Sequence, residues 1–342
     1  MSGSGQQKKL NVPNWKAAMN NDQHHRSKQK RPKWLSPFLL IRLLGIALFI
    51  YILTTVDLNA LWQHIKEVRA EYLVYAIIFQ VLLLFIKALR WHILNNGSTQ
   101  KGIIMQSFGE FFESYAIGVI TPGRLGELVK AGHAKEKNKI MEAGIRVLVE
   151  RGFDLGIFVL IAGLAFVYTI NIYASTLIGA LIIIAGISIL VLAIIFMRSA
   201  KATAMVQKVL NKLPFISMNL NLAFRKRSNK VQFTVAALSL ISNLSYFISC
   251  YYLAVGLSFT LSFLYISGAV AVAGLLNMLP ITVMGLGTRE GTFLVLFKPM
   301  AEPLILAFSG LVFLIAQIGG GIISFLLGYS FLFLARKNAA QK

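Results

Sequence analysis

Acidic residues are scarce in this chain: 13 Asp and Glu stand against 34 Lys and Arg in 342 residues, a formal net charge of +21. Cysteine is scarcer still. Cys250 stands alone, which excludes a disulfide framework and a thiolate metal cluster. His24, His25, His64, His92 and His133 show no HExxH or similar ligand spacing, so neither a metal enzyme nor a cofactor is expected. Charged residues of both signs make up only 14% of the chain, too few for an ordinary soluble domain of this length. Period-two alternation is missing as well, which argues against transmembrane strands. Nothing at the N-terminus reads as a cleaved signal, since residues 1–35 are polar and the apolar run after them is long enough to remain as a span.

What the chain has instead is apolar length. Hydrophobic residues are 56% of it, with a mean hydropathy of +0.68. Runs of roughly 20 apolar residues, each able to cross a hydrocarbon core about 30 Å thick, recur along nearly all of it. The expected fold class is therefore an all-α integral membrane protein, a polytopic helical bundle. The positive charge sits in the N-terminal tail, the loops and the far end rather than on one soluble face. It reads as a topology signal, and no nucleic acid partner is expected.

Taken in order, the apolar runs give spans over 37–56, 72–94, 147–170, 175–197, 231–256 and 303–334, about six full crossings. An amphipathic surface helix is expected over 57–71. The basic loop after residue 130 and the basic C-terminus at Arg336, Lys337 and Lys342 face the same side only if two segments turn back before crossing. Those are Ile103 to Ile120, ending at Pro122, and Leu261 to Leu279, ending at Pro280. The pattern span, re-entrant broken helix, span then occurs twice in opposite orientation, an inverted repeat. The expected organisation is a cytoplasmic basic tail (1–35), one membrane domain (36–335) with halves 36–197 and 231–335 joined by a cytoplasmic loop (198–230), and a short tail (336–342).

The two breaks share a composition. I-T-P-G-R-L-G-E-L-V-K-A over 120–131 and L-P-I-T-V-M-G-L-G-T-R-E-G over 279–291 each hold a proline, two glycines, an arginine and a glutamate. Proline and closely spaced glycines interrupt an apolar helix, and the freed backbone groups need partners that lipid does not supply. Pro122, Gly123, Gly126, Pro280, Gly285 and Gly287 are therefore expected to border a protein-enclosed cavity. Arg124 and Arg289 are the first candidates to meet a substrate, because a guanidinium binds phosphate oxygens bidentately and stays charged when partly desolvated. The other reading of each arginine is an internal ion pair, Arg124 with Glu127 and Arg289 with Glu290 or Glu150. Lys130 belongs to the same candidate set. Glu150, Arg151 and Asp154 lie on successive turns, where Arg151 can meet Asp154 at i, i+3 in a local triad, or the group can receive a headgroup. Glu127 and Glu290 are alternative proton relays. Lys87 and Arg90 are expected to snorkel to the interface or to pair with Glu110 and Glu113. Trp34, Trp62 and Trp91 are expected at membrane interfaces.

Four stretches, A-L-R-W-H-I-L, T-P-G-R-L-G-E-L-V-K-A, V-L-V-E-R-G-F-D-L and L-P-x(4)-G-L-G-x-R-E-G, carry a resemblance over roughly residues 38–335 to the flippase-like membrane family related to the transmembrane region of lysylphosphatidylglycerol synthases. The resemblance implies an inner-membrane protein that translocates aminoacylated phospholipid or serves lipid-linked sugar pathways. It implies functional roles for Arg124, Gly126, Glu127, Glu150, Arg151, Asp154, Gly285, Gly287, Arg289 and Glu290. Membrane lipids are the expected partners, with a separate glycosyltransferase or aminoacyl-lipid synthase beside them. The lysyl-transfer domain of the bifunctional members has no counterpart in these residues, so synthesis of an aminoacyl lipid is not expected. An intramembrane transferase using Glu127 or Glu290 as base is a third reading, which no nucleophile and base pair supports.

Introduced cysteines in a Cys250→Ser background test the orientation. Positions 135 and 338 should label from the cytoplasm and 172, 258 and 288 from outside; labelling of 258 from the cytoplasm would overturn it.

Overall fold

The computed structural model describes residues 50, 51, 54, 57–95, 99–133, 137–169, 173–198, 228–279, 282, 284–298 and 300–340. The basic tail, nearly all of the first expected span, almost the whole 198–230 loop and Pro280 lie outside the described residues. Among the described residues all regular structure is helical. In chain order these are α1 (Leu58–Lys66), α2 (Ala70–Asn95), α3 (Lys101–Ile120), a 3-10 stretch (Pro122–Leu128), the one-turn α4 (Val129–Gly132), α5 (Lys137–Thr169) and α6 (Tyr173–Arg198). Then come α7 (Asn229–Gly256), α8 (Phe263–Met278), α9 (Thr288–Leu296), and α10 (Glu302–Val312), which continues through a π-helical turn (Phe313–Gly319) into α11 (Gly320–Ala340).

Four of these runs are long and apolar enough to cross a membrane: Ala70–Asn95, Thr176–Arg198, Asn229–Gly256 and Glu302–Asn338. The chain is a multi-pass membrane protein. Six spans were expected from the sequence. Of the other two, the first lies largely outside the described residues, and the third is α5, which carries Glu142, Arg146, Glu150, Arg151 and Asp154 between its start and its middle. On α6, Leu177, Leu181, Ile184, Ile187 and Leu192 stand exposed, an apolar surface that lipid rather than water would cover. The expected surface helix over 57–71 is shorter than that, because α1 stops at Lys66. Its start is fixed by Asp57, whose carboxylate accepts from the N–H groups of Asn59 (2.9 Å) and Ala60 (3.2 Å).

Two antiparallel pairs form the frame. Along α2 and α7, Ser249 donates to the Ala76 carbonyl at 2.8 Å and Arg90 donates to Ser239 at 2.9 Å. Helices α5 and α6 meet through small residues: a Cβ on Gly163 would stand 2.9 Å from the Ile183 nitrogen, and one on Gly186 2.8 Å from the Leu160 nitrogen. Within lipid there is no hydrophobic drive between helices, so this close backbone approach supplies the packing.

The two interrupted helices lean on the frame from opposite ends. Helix α3 runs antiparallel to α11, with Gly102 beside Asn338 at one end and Val119 beside Gly321, which puts the tip of α3 level with the π-helical turn. Helix α8 runs antiparallel to α5, from Gly268 against Ala165 to Gly274 against Phe158, part-way down α5. Both helices stop part-way along their neighbours. The π-helical turn is held open where Gln80 donates to the Ala316 carbonyl at 3.2 Å.

Because the contacts at Gly186 are to backbone atoms, a side chain there must push α5 and α6 apart. Gly186→Leu should lower unfolding stability in detergent by about 1–3 kcal/mol, read by scanning fluorimetry; an unchanged midpoint would show that the pair is not packed in this way.

Candidate functional site

The first break follows from its residues. Thr121 is extended (φ −88°, ψ 140°), as a residue before proline tends to be, and α3 ends there. Its hydroxyl donates to the Gly118 carbonyl at 3.1 Å and accepts the Gly126 N–H at 2.7 Å, so the loosened backbone is tied back to α3. Gly126 lies directly on the backbone of Ile117 and Gly118, where a Cβ would come within 2.7 Å. Its smallness serves this contact with α3. Gly123 (φ 60°) and Arg124 (φ 54°) are both left-handed. For arginine that conformation is unfavourable by about 1–2 kcal/mol, and such strain collects at functional sites.

The second break has the same device. Met284 (φ 56°), Gly285 (φ 74°) and Gly287 (φ 82°) are left-handed, and Gly285 packs on the Asn277 amide. Helix α9 starts at Thr288, and the Gly287 N–H donates to the Glu290 carboxylate at 2.7 Å. That N-terminus is capped from within. Arg289 pairs with Glu290, donates from Nε to Ser309 at 2.9 Å and lies 4.8 Å from the Phe313 ring centre, while Ser309 donates to Glu290 at 2.9 Å. Arg289 and Glu290 are buried. Nη1 of Arg289 is buried without a hydrogen-bond partner among the described residues.

Between the breaks lies a cavity of about 60 Å³. Arg124 lines it from the first break, Asn277 and Met278 from the end of α8, Gln317 from the π-helical turn, and Lys87, Arg151, Asp154 and Asn243 from the frame. A smaller void of about 20 Å³, bordered by Gly123, Arg124, Asn277, Thr282, Met284 and Gly285, continues between the two breaks themselves. The structure thus brings Arg124 and the second break together but sets Arg289 in its own ion pair.

A chain of buried ion pairs supports the cavity wall. Asp154 accepts from Lys87 and from Arg90, each at 2.8 Å, and from Asn243 at 3.0 Å. Glu150 accepts from Arg90 at 3.3 Å and from Lys130. Lys130 also lies over the Trp91 ring at 4.7 Å, away from the cavity. Arg151 reaches Glu127 at 2.6 Å. Arg124 approaches Glu127 only to 4.0 Å and faces the Tyr115 ring at 5.5 Å, and its guanidinium makes no hydrogen bond among the described residues.

Several expectations are corrected. Lys87 and Arg90 do not snorkel, since the lysine is nearly buried and the arginine fully so, both held by acids of α5. Nor do they pair with Glu110 and Glu113. Glu110 accepts from Trp91 (3.3 Å) and Gln106 (2.9 Å), and Glu113 faces His133 at 2.9 Å. Arg151 does not close a triad with Asp154, because Glu127 takes it. Trp91 is fully buried rather than interfacial, whereas Trp62 is exposed and Trp34 lies outside the described residues. The amides Asn243, Asn277 and Gln317 escaped the sequence reading, although a polar amide within an apolar helix is a signal in its own right.

The family described as the lysylphosphatidylglycerol synthase transmembrane region matches residues 38–328. No curated protein gives a significant match.

Removing one partner from a buried ion pair leaves an uncompensated charge. Asp154→Asn should therefore lower stability by about 3–5 kcal/mol, with Asp154→Glu recovering part of it in the same thermal unfolding assay. Equal stability of the Asn variant and the parent would mean that the network is not formed.

Proposed function

The chain belongs to the family of the lysylphosphatidylglycerol synthase transmembrane region, and from that premise we propose that it translocates a phosphate-bearing lipid, either an aminoacylated phospholipid or a polyprenyl-phosphate-linked one, across the cytoplasmic membrane. The observation that carries this reading is the guanidinium of Arg124, which borders the cavity and has no hydrogen-bond partner among the described residues. The headgroup enters the cavity and meets Arg124 while the acyl chains stay in lipid. Arg151, with Glu127 held between it and Arg124, places a second guanidinium within reach of the same phosphate.

In this reading the segments ending at the two breaks are re-entrant, and the halves 36–197 and 231–335 form an inverted repeat of about six spans with both termini in the cytoplasm. The approach of α3 and α8 from opposite ends supports it, because broken helices that meet part-way between the ends are the usual place for a substrate site in such repeats. Rocking of one half against the other would open the cavity to each side in turn. No chemical step is assigned, and no cofactor is invoked.

A second reading rests on the basic loop with Lys201, Lys208, Lys212, Arg225, Lys226, Arg227 and Lys230. It makes the protein a non-transporting partner of a lipid-linked glycosyltransferase or aminoacyl-lipid synthase, docked through that loop. Neutralising the loop would then abolish function while cavity substitutions would not.

Reconstituted proteoliposomes decide between them. Purified protein should move a labelled phosphate lipid between leaflets, and Arg124→Ala should slow this about 10- to 100-fold, the worth of a charge-assisted hydrogen bond of about 1.5–3 kcal/mol. If none of the candidate lipids moves, and Arg124→Ala leaves the cellular phenotype intact, the translocation reading fails.

A further inference from the structure

Translocation of a phosphate-bearing lipid leaves open whether the headgroup also carries an amine, and the charges around the cavity bear on this. Two ion-paired groups, Lys87, Arg90 and Lys130 with Glu150 and Asp154, and Arg124 and Arg151 with Glu127, together hold five cations against three carboxylates. Two positive charges are in surplus. Resting on the translocation reading, we propose that the headgroup is a phosphate monoester without an amine, and that the cavity rejects aminoacylated phospholipid.

An ammonium group entering the cavity would need an available carboxylate, and each one is already engaged by cations. Asp154, the only acid among the described residues that line the cavity, accepts from Lys87, Arg90 and Asn243 at 2.8 to 3.0 Å. Glu150 is held by Arg90 and Lys130, and Glu127 by Arg151 with Arg124 alongside. A lysyl headgroup would have to displace one of these partners inside a low-dielectric wall while facing Lys87, Arg124 and Arg151. Selectivity of this kind comes as much from repulsion of the wrong ligand as from attraction of the right one. A phosphate monoester, in contrast, meets the Arg124 guanidinium, which makes no hydrogen bond among the described residues, and offsets the surplus. The remaining polar lining, Asn277, Gln317, Tyr115 and Tyr246, is neutral and offers amide and hydroxyl donors.

Equilibrium binding to the full chain in detergent tests this, with phosphatidic acid and a polyprenyl monophosphate as monoester probes. Lysylphosphatidylglycerol, phosphatidylethanolamine and inorganic phosphate are the comparisons. The monoester lipids should bind at least about tenfold more tightly than the lysyl lipid, the factor that about 1.4 kcal/mol makes. Arg124→Gln should remove that preference and Arg124→Lys should keep its order, which also guards against a fold effect. Equal or tighter binding of the lysyl lipid overturns the proposal, as does inorganic phosphate binding as tightly as the monoester lipids. Monoester binding that depends on Arg124, with no movement in proteoliposomes, keeps the headgroup assignment and removes the translocation reading instead.

Discussion

Everything in this fold depends on pairing charges that sit within long apolar helices. Asp154 and Glu150 on α5 collect Lys87 and Arg90 from α2 and Lys130 from α4, and Asn243 joins from α7. In a medium with little water these groups would be prohibitive alone, so each fixes the rotation of its helix and the depth at which its neighbour stands. The short segment after the first break is held by the same chain of contacts. Lys130 is anchored in Glu150 and over Trp91, and Arg151 draws in Glu127. The break is therefore tied to α2 and α5 on both sides of its left-handed arginine.

The two breaks share left-handed residues and differ in what their arginines do. In the second, Glu290 caps its own helix and pairs with Arg289, and Ser309 accepts from Arg289 and donates to Glu290. In the first, Glu127 is taken by Arg151 and leaves Arg124 loosely held. The second arginine lies outside the cavity lining, whereas the first faces the cavity. The π-helical turn adds Gln317 to the same space, and the wider turn that brings it there is stabilised from α2 by Gln80.

Much of the architecture was legible from hydrophobic length and from proline and glycine. The expected spans over 72–94, 175–197, 231–256 and 303–334 correspond to described helices that begin and end within a few residues of those bounds, apart from the last, which runs on to Ala340. The endings of α3 at Ile120 and α8 at Met278 were read from the residues that follow them. The site was half legible. Arg124 stood out through its motif, but Lys87, Arg90 and Trp91 were assigned to the interface because their position near the end of an apolar run is compatible with snorkelling. Only the acids of α5, some 60 residues further on, give them another place, and nothing local in the sequence announces that pairing.

By itself the sequence determined that the chain lives in a membrane, that it is helical, and where its helices break, because those properties follow from local length, composition and backbone chemistry. Which cation meets which carboxylate was decided only by the tertiary structure. Ion pairing depends on distances between helices far apart in the chain, and two arginines in nearly identical local motifs end in different situations, Arg289 buried and bonded to Glu290 and Ser309, Arg124 facing the cavity with Glu127 held more closely by Arg151.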